Sequence, residues 1–300
     1  MKIFNFGSLN VDRVYHVQDF VRAGETILAK DLSFFPGGKG LNQTIALARA
    51  GAEVYHVGCI GKDGGILKEC LVENGVPLDY LRELDADGGH TALQVSDSGQ
   101  NAIIVYSGTN HLLTEDFVDE VMKAVEPGDF VLMQNEINLV PYIMKKAKEA
   151  KAQVVINPSP ITPALSAYPL ELVDLFIVNE IEGEALTGET EPEAILAAFR
   201  KKYPGAGIVL TLGSEGSCYQ DDKEYCRQQI YKNTVVDTTA AGDTYCGYLL
   251  TCLTRGYSVQ KALDTASAAS SIAVSRQGAA PSIPLMREVE VFLRERNSAK

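Results

Sequence analysis

No CxxC pair and no Cys/His set at zinc-ligand spacing occurs in the chain, although it holds six cysteines and four histidines. The spacing offers no zinc site, and Cys59, Cys70, Cys218, Cys226, Cys246 and Cys252 read as reduced thiols of a cytoplasmic protein. Positive charge is scarce: 27 Lys and Arg stand against 39 Asp and Glu, a net charge of -12. Such a surface repels nucleic acid and anionic membranes, so no nucleic-acid or membrane partner is expected and a small molecule is favoured. If that molecule is itself polyanionic, local donors must hold it. No apolar run approaches the roughly 20 residues of a membrane span. The opening MKIFNFGSLNVD lacks the basic region, apolar stretch and cleavage site of a signal peptide. Internal repeats, low-complexity tracts and domain linkers are also missing.

What is there is an ordinary globular composition, 46% apolar and 22% charged over 300 residues, enough for one large domain. Short apolar runs bounded by turn residues read as strands: Ile3 to Gly7, Val54 to Ile60, Phe130 to Gln134, Val154 to Asn157, Leu175 to Asn179 and Ile208 to Leu212. Between them lie helical patterns at Leu41 to Ala50, Val140 to Ala150, Ala194 to Tyr203 and Thr244 to Arg255, the first and last ended by Gly51 and Gly256. This alternation predicts an α/β fold with a mostly parallel sheet flanked by helices. Two regions, Arg13 to Phe35 and Thr91 to Ser107, instead alternate with period two and predict a small β lid on the α/β body.

The stretch from Asn233 to Gly247, NTVVDTTAAGDTYCG, is the most informative. Its β-branched residues predict a strand ending at Asp237, after which Ala240, Ala241 and Gly242 lead into a helix. Small residues at such a junction let backbone N–H groups face outward where the helix dipole also favours an anion, which makes a phosphate cradle. Asp243 falls in the first helical turn. It is placed either to face an attacking hydroxyl or simply to stabilise the helix start.

A second glycine-rich segment, FFPGGKGLNQ, allows close ligand approach at Gly37 and Gly38 and offers Lys39 and Asn42 near a helix start. It is neither a Walker A loop nor a GxGxxG turn. Asn10 and Asp12 follow the first strand, where ligands of open α/β sheets bind. Asn179 and Glu182 stand three apart at another helix start, able either to orient metal-bound water or to cap the helix. The run from Thr211 through Gly213, Ser214, Glu215 and Gly216 is a phosphate-compatible turn or a plain hairpin.

In this order, GSLNVD, GGKGLNQ, NEIE, TLGSEG and DTTAAGD resemble the PfkB family of carbohydrate kinases, and within it the ribokinase branch, over nearly the whole chain. The resemblance implies a single kinase domain over 1–300, with a lid formed by about 11–36 and 89–107 that closes over the sugar and pairs two chains as a homodimer. It implies ATP-dependent phosphorylation of the primary hydroxyl of D-ribose, with another pentose, a deoxyribose, a ketose or a nucleoside as alternatives. Asp243 would be the base and Ala240, Ala241 and Gly242 the anion hole. Asn10, Asp12, Gly38, Lys39, Asn42 and Glu136 would hold the sugar. Asn179, Thr211 to Gly216 and Gly242 would line ATP, with Ser267 beside the adenosine and Glu182 acting on Mg²⁺ through water. Asp237, Thr239, Ala273, Arg276, Gly278 and Ser282 match a monovalent-cation site suited to K⁺. A non-catalytic sugar-binding regulator is disfavoured by the presence of Asp243. A nicotinamide dehydrogenase is disfavoured by the missing GxGxxG.

Overall fold

Strands that are apolar on both faces must lie between two covering layers, and successive side chains of the central strands do enter opposite cores. In the computed structural model, which describes residues 1–298, Ile3 of β1 (Ile3–Phe6) joins one core while Phe4 and Phe6 join the other. The chain continues through β2 (Asn10–Val17), β3 (Asp31–Gly37), α1 (Lys39–Arg49), β4 (Val54–Ile60), α2 (Gly65–Glu73), β5 (Leu81–Glu83), β6 (Gly89–Ser96) and β7 (Asn101–Tyr106). Next come α3 (Glu115–Met122), β8 (Phe130–Gln134), α4 (Val140–Glu149), β9 (Gln153–Asn157), β10 (Leu175–Asn179), α5 (Glu180–Thr187) and α6 (Pro192–Lys202). The last part holds β11 (Gly207–Thr211), β12 (Ser217–Gln220), β13 (Tyr225–Gln228), α7 (Ala241–Thr254), α8 (Val259–Ala273) and α9 (Met286–Ser298).

Nine strands form one sheet in the order β13-β12-β11-β10-β9-β8-β1-β4-β5, parallel except where β12 and β13 fold back as hairpins. The expected lid is a second sheet, ordered β3-β2-β6-β7, in which the two antiparallel hairpins join through a parallel β2–β6 pair. One covering layer contains α1, α7 and α8, packed on Ile3, Leu132, Val155, Ile177 and Val209; the other contains α3, α4 and α6. Within the first layer α1 and α7 cross so closely that a side chain at Gly247 would run into Ala46. Only a glycine permits that approach.

Two expectations needed correction. No strand precedes Asp237: the segment passes over the end of α8, where the N–H groups of Val236 and Asp237 donate to the Val274 carbonyl at 2.8 and 3.2 Å. Its β-branched residues lack a neighbouring strand to pair with, and Val235 and Val236 stay exposed. In addition, α7 begins at Ala241 rather than Thr244, because Ala240 takes a left-handed conformation (φ 59°) and opens the helix there.

His56 of β4 is buried against α1, its Nδ1 lying 2.7 Å from Thr44 Oγ1. Burial pushes its pKa down from 6.5 to about 4, opposed in part by the Gly7 carbonyl. Between those values the unfolded chain binds a proton that the folded chain does not, so the stabilisation is complete above the unfolded pKa and lost as pH falls. Urea unfolding at pH 7.5 and 5 should therefore show the wild type losing about 2 kcal/mol more than His56→Gln between the two conditions. Equal losses would show that the folded imidazole takes up its proton normally.

Candidate active site

From β1 the chain proceeds to β4 on one side of the sheet and later to β8 on the other, so the loops leaving β1 and β8 diverge and open a crevice at their carboxyl ends. Ser8, just past β1, and Glu136, just past β8, meet across it through a short hydrogen bond from the Ser8 hydroxyl. Ser8 also organises the start of α1. Gly38, at φ 98°, supplies no capping side chain, and instead Gly40 N–H donates to Ser8 Oγ at 3.2 Å and Leu41 N–H to Ser8 O at 2.9 Å. The α1 backbone at Lys39 donates to Glu136 at 3.2 Å.

Around that point lie Lys39, Asp243, Glu136 and Glu182. Burial disfavours the Lys39 ammonium, but Asp243, Glu136 and Glu182 outweigh it and hold the pKa above the usual lysine range. Burial raises the pKa of Glu136, with the Ser8 hydrogen bond and Lys39 acting against it. Asp243 is buried in the first turn of α7, where Asn42 Nδ2 donates to its Oδ2 at 3.1 Å and Gln43 Nε2 to its Oδ1 at 2.9 Å. The crossing at Ala46 and Gly247 explains this meeting, since one helical turn earlier on each helix places Asn42 and Gln43 opposite Asp243. Asn42 Oδ1 is buried without a partner, an acceptor left for a donor from outside the chain.

Asp12 and Asn10 border the same crevice on the lid side. Thr91, opposite Asp12 in the β2–β6 register, donates to Asp12 Oδ1 at 2.7 Å, and burial raises the Asp12 pKa against that bond. The Asp12 carboxylate occupies the place a side chain at Gly37 would need. Asn10 Oδ1 accepts from Asn110 Nδ2 at 2.7 Å. In front of α7, a Cβ on Gly242 would meet open space, and the Ala241 N–H donates to the Thr238 carbonyl at 3.2 Å.

The pfkB family carbohydrate kinase model matches residues 1–286. The chain belongs to the pfkB family of carbohydrate kinases. The ribokinase of Haemophilus influenzae is 35% identical over 302 residues, covering 96% of each chain. The deoxyribokinase of Salmonella typhi is 25% identical over 304 residues, 98% of this chain and 99% of its own. The structure of Arabidopsis thaliana ribokinase complexed with ribose and ATP superimposes with a TM-score of 0.86 at 32% identity, covering 97% of each chain. The fold is accordingly ribokinase-like, and the protein is a phosphotransferase acting on a carbohydrate.

The kinase brings its sequence-predicted residues together unevenly. Gly38, Lys39, Asn42, Glu136 and Asp243 form one cluster, bordered by Asn10, Asp12 and Glu182. Asn179 and Glu182 form a capping box: Glu182 N–H donates to Asn179 Oδ1 at 2.8 Å and Asn179 N–H to Glu182 Oε2 at 3.0 Å. Burial raises the pKa of Glu182, with the Asn179 backbone bond opposing. Thr211 pairs with Asn179 in the sheet, and Gly213, Ser214 and Glu215 extend from it exposed, while Gly216 closes the hairpin at φ 96°. Ser267 is buried with its hydroxyl donated to the Gln229 carbonyl at 3.1 Å, outside the cluster. Asp237 accepts from Thr239 N–H and Oγ1 at 2.9 and 2.6 Å and from Gly278 N–H at 2.9 Å. Arg276 N–H donates to Ala273 O at 3.0 Å, its guanidinium pairs with Glu288 at 2.6 Å, and Ser282 donates to Ala279 O at 2.8 Å.

Sequence reasoning passed over Ser8, Asn110 and Gln43. A signal existed for Gln43: Asn42, Gln43 and Thr44 interrupt a helical run whose neighbours Leu41, Ile45 and Leu47 are apolar, and all three are buried. Consecutive buried polar side chains need partners, which here lie on α7 and the sheet.

Proposed function

We propose that this kinase phosphorylates the primary hydroxyl of D-ribose with ATP, giving ribose 5-phosphate and ADP. The observation that carries the reading is Asp243 at the mouth of α7, with both carboxylate oxygens held by donors and the unpartnered Asn42 Oδ1 beside it. Asp243 takes the hydroxyl proton; the freed oxygen bonds to the γ-phosphorus as the bond to the β–γ bridging oxygen breaks and ADP leaves. Of the three backbone N–H groups from Ala240 to Gly242, that of Ala241 is donated to the Thr238 carbonyl at 3.2 Å, so those of Ala240 and Gly242 receive the charge on the transferring phosphoryl group. Lys39, the Asp12 carboxylate, Asn10, Glu136 and the peptide at Gly38 pair with the remaining sugar hydroxyls, a donor and acceptor set suited to a free pentose. The deoxyribokinase relative keeps deoxyribose as the second reading.

Thr211 to Gly216, Asn179 and Gly242 would lie along ATP, with Ser267 behind the adenosine site. Among the described residues no three His, Cys, Asp or Glu side chains converge as metal ligands. Magnesium would therefore be held largely by phosphate and water, with Glu182 reaching it through water, which suits a carboxylate already committed to Asn179. Magnesium supplies neutralisation of phosphate charge.

For the monovalent cation, Asp237, Ser282 and carbonyls near Thr239, Ala273, Arg276 and Gly278 offer hard oxygen donors that fit K⁺. The 236–239 and 273–278 segments are neighbours, and Ser270 bonds the Ala241 carbonyl at 3.1 Å, so order in this region reaches the anion hole. The lid carries exposed Phe34, Phe35, Ile103, Ile104 and Val105 on its edge strands β3 and β7, a surface suited to pairing with a second copy.

Three experiments test the reading. With ADP release followed over a panel of pentoses, deoxyribose, ketoses and nucleosides, ribose should be preferred. In that assay Asp243→Asn should lower kcat by at least about 100-fold, and Asp12→Ala should raise the ribose KM by more than about tenfold with the ATP KM little changed. Preference for another panel member would replace the substrate, and near-normal turnover of Asp243→Asn would remove the base. Replacing Na⁺ or Li⁺ by K⁺ at constant ionic strength should raise both the rate and the melting temperature, and Asp237→Ala should abolish both responses; identical behaviour in all salts would remove the cation. Sedimentation of the wild type should give a dimer and Phe34→Glu/Ile104→Glu a monomer, whereas a monomeric wild type at micromolar concentration would rule out lid pairing.

A further inference from the structure

Several strands of the central sheet place a polar side chain toward α1 and α7 near their carboxyl ends: Asn5 on β1, Gln134 on β8 and Asn157 on β9. Asn5 and Gln134 are completely buried, as is Gln43 of α1. Their hydrogen bonds have one direction only. Asn5 Nδ2 donates to the Gly40 carbonyl at 2.9 Å, and a backbone carbonyl cannot donate, so Asn5 must present Oδ1 to Gln134. Gln134 Nε2 donates to that oxygen at 2.9 Å and to Gln43 Oε1 at 2.7 Å. From the other side, Asn157 Nδ2 donates to the Ile177 carbonyl at 2.9 Å, which leaves Asn157 Oδ1 to accept from Gln43 Nε2 at 3.1 Å. Gln43 is thus fixed from both ends with its amide hydrogens aimed at Asn157 and Asp243.

Resting on the assignment of Asp243 as base, we propose that Gln43 is a positioning residue for it, held in the donating orientation by the Asn5–Gln134 chain. A flipped Gln43 amide would set its oxygen against the carboxylate oxygen and leave Gln134 Nε2 facing an NH₂ group, so each hydrogen bond in the chain excludes the alternative. Asn42 holds the second carboxylate oxygen, yet its own Oδ1 is buried without a partner in the protein. Substrate can disturb Asn42, whereas Gln43 is anchored wholly within the protein. Through it the carboxylate keeps its place while the sugar enters and leaves.

The test is a double-mutant cycle on the full-length kinase with ATP and the sugar it turns over fastest, with melting temperatures recorded for every variant. Gln43→Met should lower kcat about 10- to 100-fold with both KM values within about twofold, and Gln134→Met, which touches neither Asp243 nor the crevice, should lower kcat about threefold. In an Asp243→Asn background both losses should vanish, because the group they position is gone. Gln43→Glu keeps the side-chain volume and opposes a second carboxyl to Asp243, so it should lose at least as much activity even if Gln43→Met folds poorly. Equal losses in both backgrounds, or unchanged kcat in Gln43→Glu, would overturn the proposal. Undiminished turnover of Asp243→Asn alone would instead overturn the assignment of the base.

Discussion

The site depends on the contact between Ala46 of α1 and Gly247 of α7. Because neither helix carries bulk there, the backbones approach closely, and the helices reach the carboxyl edge of the sheet side by side. Asn42 and Gln43 then stand opposite Asp243, although some 200 residues of chain separate them. A larger residue at Gly247 would spread the two helix starts, and with them the carboxylate and its donors. The same economy of side chains recurs at Gly40, whose α-carbon packs on the Gly7 backbone, and at Gly37, which yields its space to the Asp12 carboxylate.

An acidic protein that binds an anionic phosphoryl donor must create favourable potential locally. Here the means are few: the Lys39 ammonium, kept charged by three carboxylates, and the outward N–H groups at the start of α7. The left-handed Ala240 is part of that arrangement. A non-glycine residue in that conformation costs on the order of 1–2 kcal/mol, and the hydrogen bonds around it, from Ala241 to Thr238 and from Ser270 to Ala241, keep the turn in place. Burial raises the pKa values of Asp12, Glu136 and Glu182, opposed by the Thr91 hydrogen bond at Asp12, the Ser8 hydrogen bond at Glu136 and the Asn179 backbone at Glu182.

The polar layer beneath the site serves a further purpose. A chain of amides anchored on backbone carbonyls fixes which end of each amide donates and which accepts, a choice that apolar packing does not make. The cost of burying such groups is offset because nearly all of their donors and acceptors are used.

Local pattern determined the strands of the parallel sheet, the hairpins of the lid, the glycine turns and the identity of Asp243 as the acid at a helix start, because each follows from periodicity or from residue chemistry within a few positions. The short apolar runs read correctly because a doubly covered strand needs no partner to declare itself. Val235 and Val236 were misread for the opposite reason: their strand propensity was sound, but pairing requires a neighbouring edge, and whether one is within reach is a property of the whole fold. Asn179 and Glu182 had two local readings, and their mutual bonds make them the capping box of α5 while leaving the magnesium reading a proposal. That Gln43 holds Asp243, that Ser8 starts α1, and that Ser267 is spent on Gln229 lay beyond the sequence, since each is a contact between segments brought together only by helix crossing and sheet order.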